Sequence, residues 1–75
     1  MKKSEIKRLQ HVVRRSERTI TRITKEIENL TMARDKLSFE SEEHYILGQA
    51  IEGLYEASSH LNIAKNRITY KLSGR

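Results

Sequence analysis

Apolar residues recur along the first half of the chain at alternating steps of three and four. With Ile6 at heptad position a, Ile6, Val13, Ile20 and Ile27 fall at a, and Leu9, Ile23, Leu30 and Leu37 fall at d. Ser16 at d and Arg34 at a are the two breaks, so eight of ten seam positions are apolar over five heptads. A sustained period of about 3.5 residues predicts a coiled-coil helix with a left-handed supercoil. The stretch Arg18-Thr19-Ile20-Thr21-Arg22-Ile23-Thr24 is rich in β-branched residues and reads locally as a strand. The heptad continues through it without a slip, and no turn residue flanks it. Pattern over the long window therefore predicts helix.

The pattern stops at Ser38-Phe39-Glu40-Ser41. Ser41 suits an N-cap, because its hydroxyl can accept from a backbone N–H one turn on. Glu42 and Glu43 follow in the first turn, where the helix dipole favours negative charge. A second period then appears: Leu47, Ala50, Leu54, Ala57, Leu61, Ala64 and Ile68. Large residues recur every seven, with alanines between them. Such an alternation suits an antiparallel seam, with bulky side chains of one helix facing alanines of the other. Ile46, Ile51, Ser58 and Leu72 lie beside this seam and widen the apolar face beyond what one neighbouring helix needs.

The predicted fold is all-α: an antiparallel, coiled-coil-like two-helix hairpin dimerising into a four-helix bundle. One domain spans residues 1–75, with a helix over 4–37, a turn over 38–41 and a helix over 42–72. Gly48 and Gly53 fall inside the second helix, either to admit a partner helix closely or as tolerated residues on an exposed face. Gly74 falls near the position where helices end. Ser16 and Arg34 in the seam are candidates for fixing its register.

Size and composition narrow the function. The 75 residues hold no cysteine and no proline. A chain this short buries only about 60% of its unfolded surface and is marginal by itself, which favours assembly. No thiolate metal site or cysteine nucleophile is available. No apolar run approaches the roughly 20 residues of a membrane span. Glu5, Lys7 and Arg8 interrupt any leader-like segment after Lys2 and Lys3. The expected setting is the cytoplasm.

The formal charge of +5 is unevenly spread. Residues 1–25 hold nine basic and two acidic residues, net +7. Residues 26–56 hold two basic and eight acidic residues, net −6, and residues 57–75 hold four basic and no acidic residues, net +4. An antiparallel hairpin brings the first and third segments together at its open end, at +11, and leaves the acidic segment at the turn. At about 1.5 Å per residue the rod is roughly 45–50 Å long. Its ends are then several Debye lengths apart at physiological salt.

Within helix 1 the cations share a face. Lys7 and Arg14 fall at b, Arg8, Arg15 and Arg22 at c, and Arg18 and Lys25 at f, opposite the seam. Arg67 and Lys71 add to the basic open end. This stripe suits an acidic protein surface, the phosphates of nucleic acid, or a solvated face balanced in an oligomer by a partner's acidic turn end. Tyr45, Tyr55, Ile63 and Tyr70 fall at positions facing away from the second seam and are candidate interface residues, Tyr and Arg being enriched in binding hot spots. Tyr70 lies within a turn of Arg67 and Lys71, where it can stack on a base or dock a protein. Membrane-surface helices carry Trp, Phe or Leu on their apolar face, and helix 1 carries Ile and Val in a strict heptad, so no membrane partner is expected.

Catalysis finds no support. His11, His44 and His60 are not spaced as metal ligands. The carboxylate pairs Glu42-Glu43 and Glu52 with Glu56 lie on a thin hairpin without a pocket to differentiate them. No phosphate-cradling glycine loop or nucleophile elbow is present. Small two-helix aspartyl-phosphate phosphatases carry a Ser-Gln-x-x-Asp segment in helix 2. The corresponding stretch here, Gly48-Gln49-Ala50-Ile51-Glu52, departs at both distinctive positions and transfers nothing. No enzyme, cofactor or small-molecule substrate is expected. The expected function is a small binding or regulatory protein, of inhibitor or adaptor type, that docks a rigid basic surface on a partner protein. The alternative is a nucleic-acid-binding protein gripping phosphates through helix 1 and the open end. A phage or mobile-element origin is an analogy from size alone.

Overall fold

The computed structural model describes residues 1–74. It contains two α-helices packed against each other, α1 (Lys3–Asp35) and α2 (Glu42–Ser73), and among the described residues no strand. The hairpin is a rod of 55 × 14 × 13 Å.

The β-branched segment of α1 is helical throughout, and its threonines show how. The hydroxyls of Thr19, Thr21 and Thr24 donate to the carbonyls of Arg15, Glu17 and Ile20, one turn back, at 2.9–3.0 Å. Ser16 and Thr31 do the same with Val12 and Ile27. A hydroxyl that shares an existing helical carbonyl no longer competes for a non-helical backbone, so local strand preference is muted.

α1 ends at Asp35. Lys36 and Leu37 close the last turn by donating to the carbonyls of Ala33 and Arg34, at 3.3 and 2.9 Å. Leu37, expected at a d position, therefore lies beyond the helix and is exposed. A second turn over 38–41 is tied by the Ser41 N–H donating to the Ser38 carbonyl at 3.0 Å. The Ser41 hydroxyl donates to the same carbonyl at 2.7 Å and accepts from the His44 N–H at 3.2 Å. That arrangement caps α2, with Glu42 and Glu43 in its first turn.

The seam of α1 comprises Ile6, Leu9, Val13, Ser16, Ile20, Ile23, Leu30 and Arg34, all half-buried, and Ile27, which is buried at 7% exposure. On α2 the expected seam needs correction. Leu47, Leu54, Leu61 and Ile68 face α1, but Ala50, Ala57 and Ala64 are exposed. The second row comprises His44, Ile51, Ser58, Lys65 and Leu72, with Ile51 buried at 5%. Both registers share the leucine row and differ only in its flank, at i+3 or at i+4. Burial decides: Ile51, Leu72 and the aliphatic stem of Lys65 remove more apolar surface from water than three alanine methyls.

Candidate interaction surface

A hairpin one layer thick leaves most of its side chains on the outside. Among the described residues only Ile27 and Ile51 are buried, and no polar or charged side chain is. What the molecule offers is surface, and three parts of it are distinct.

The basic face is the first. Lys7, Arg8, Arg14, Arg15, Arg18, Arg22 and Lys25 are all exposed, along the side of α1 opposite its seam. Arg67 and Lys71 are exposed at the C-terminal end of α2, which lies beside the N-terminal end of α1. Among the described residues the only ion pair within 4.0 Å is Arg34 with Asp35, near the turn. Among the described residues, none of the nine cations of residues 1–25 meets a carboxylate within 4.0 Å. His11, Arg14, Glu17 and Arg18 line a shallow groove on this face.

The exposed aromatic residues form two groups. At the turn end, Tyr45 and Tyr55 share a groove with Phe39, His44, Gly48 and Ile51. The Phe39 and His44 rings sit 5.3 Å apart, tilted at 54°. At the open end, Tyr70, 82% exposed, borders a groove with Asn66, Arg67 and Lys71. Ile63 is half exposed and lines neither groove. The four candidates are therefore not one patch. Phe39, 84% exposed, joins the turn-end group, although the sequence marks it only as a loop residue. An aromatic side chain in an otherwise polar turn was the available signal.

The third surface is one side of the hairpin. Gln10, Val13 and Arg14 of α1 share a groove with Thr69 and Leu72 of α2, which identifies one side; toward the turn the same side carries Gly48 and Tyr55 of the aromatic groove. Turning about 100° per residue from each seam places Val12, Thr19 and Ala33 of α1 on the opposite side. The same rotation on α2 places Ile46, Ala50, Gly53, Ala57 and Ala64 there. Ile46 is 55% exposed and Val12 is exposed too, and the half-buried Leu30 edges onto this side. The alanines absent from the hairpin seam thus form part of a second apolar stripe with no neighbour inside the chain.

Among the described residues, no three His, Cys, Asp or Glu side chains gather closely enough to hold a metal ion. Within the same residues, no helix is long and apolar enough to cross a membrane. No protein-family model matches the chain, and no curated protein and no solved structure matches it either.

Proposed function

We propose that the chain is a small non-enzymatic binding protein, of regulatory, inhibitor or adaptor type, working in the cytoplasm. Two hairpins associate into a four-helix bundle, and the bundle docks the basic face of α1 on an acidic protein surface. The observation that carries this reading is the uncompensated charge: nine exposed cations along 25 residues with no internal ion pair among the described residues. Complementary charge across an interface steers encounter and selects the partner. The cations stand on a helix rather than a loop, so docking orders little backbone.

Nucleic acid is the second reading, and the groove of Tyr70 with Arg67 and Lys71 favours it, since a ring beside cations suits a stacked base. Affinity capture from the native host, with and without nuclease, separates the two. A protein retained after nuclease treatment, and lost when Arg14, Arg18 and Lys25 are replaced by Ala, supports protein docking. Capture that disappears with nuclease supports the second reading.

A further inference from the structure

We infer that the hairpin pairs with a second copy of itself through the apolar side bearing Val12, Leu30, Ile46, Ala50, Ala57 and Ala64, in antiparallel orientation. The inference rests on the self-association proposed above and adds the face and the direction.

Area is the first argument. The hairpin exposes 6250 Å². A compact monomer of 8.8 kDa exposes about 4,800 Å². The excess, about 1,500 Å², exceeds the roughly 800 Å² that each partner gives to a standard interface. The apolar stripe runs along α2 from Ile46 to Ala64 and is joined on α1 by Val12, Leu30 and Ala33, with Thr19 and Glu26 between them, so a partner of equal length can cover it. Small side chains at Ala50, Gly53, Ala57 and Ala64 let the covering helix approach closely. A Cβ at Gly53 meets nothing within 4 Å inside the hairpin, so that gap is not filled by the chain itself.

Charge selects the second copy and its direction. Two hairpins stacked on this side by a two-fold axis have two options. With the axis along the rod, open end meets open end, +11 on +11. With the axis across the rod, each open end meets the partner's turn end, +11 on −6. The second arrangement alone is attractive. It also lays α2 against the partner's α2 in reverse, with Ala57, at the middle of α2, near the axis. Arg8, Arg15 and Lys71 then edge the interface opposite the partner's acidic end, carrying Glu26 and Glu43. The rest of the basic face points outward and stays available.

The test uses the purified chain without protein or nucleic-acid partners, so its failure leaves docking through the basic face untouched. Sedimentation equilibrium should give twice the 8.8 kDa chain mass at micromolar concentration. Ala57→Glu should raise the dissociation constant by roughly 100-fold or more, because it puts a charge at the interface centre. Ser59→Glu, exposed on the opposite side of the same helix, should not. Loss of helicity in Ala57→Glu, with Ser59→Glu still folded, has the same meaning: the hairpin depends on this side. A nitroxide on Phe39→Cys, unique because the chain has no cysteine, reads direction. Reverse packing should separate the two labels by about the 55 Å rod length. A monomer at high micromolar concentration, an intact Ala57→Glu dimer, or labels close together overturns the inference.

Discussion

The Nε of Arg34 lies 3.8 Å from a carboxylate oxygen of Asp35, beyond hydrogen-bond reach, and is buried with no other acceptor. Arg34 occupies a seam position where its neighbours along α1 are apolar. A buried donor left without a partner is destabilising by about 1–3 kcal/mol.

Arg34→Leu should therefore raise stability by about 1 kcal/mol. Urea unfolding at fixed protein concentration, followed by circular dichroism, measures it. A loss of stability would show that the Asp35 attraction and the aliphatic stem outweigh the orphaned Nε.

The rotation of α2 makes a paired prediction. Ile51→Ala should destabilise the hairpin by about 2–4 kcal/mol, because the side chain is buried and its removal leaves a cavity. Ala50→Ser, one residue away, should change the stability of the isolated hairpin by less than about 0.5 kcal/mol. If Ala50 proved the more sensitive position at a concentration where the chain is monomeric, the seam would run through the alanines.

Gly48 sits inside α2, and a Cβ added there meets nothing within 4 Å. Gly48→Ala should stabilise by about 0.5–1 kcal/mol through the helix propensity it restores. Gly48 lines the aromatic groove on the side opposite the alanine stripe, so sedimentation should show the same mass as the wild type.

Replacing Arg14, Arg18 and Lys25 together by Ala should leave stability within about 0.5 kcal/mol of the wild type, since all three are exposed on the outward face and none is ion-paired within 4.0 Å. Retention of a captured partner should fall, and its salt dependence should flatten. Salt also reads the direction of self-association. Added NaCl should weaken pairing of opposite ends, whereas it would strengthen a parallel pairing of like ends.

How much of this was legible differs between the helices. In α1 the seam is Ile and Leu against charged residues, and only one register buries them. In α2 the leucine row permits two registers, and the regular spacing of Ala50, Ala57 and Ala64 made the less burying one conspicuous. Spacing alone does not weigh an alanine against an isoleucine; burial does, and it turns α2 toward Ile51 and Leu72. The charge pattern was readable because it depends on chain order alone. The grouping of Phe39 with Tyr45 and Tyr55 was not, because it requires the path of the turn.

The two buried isoleucines lie nearer the turn than the open end. Toward the open end the interior passes through Ser16, Ser58 and Lys65, and the charges there repel one another. Protection of backbone amides against solvent deuterium should consequently be graded along the rod, greatest around Ile27 and Ile51 and least near Ile6 and Leu72. The hairpin should breathe like a clothes-peg, hinged at its capped turn, with its cation-rich jaws the first part to open.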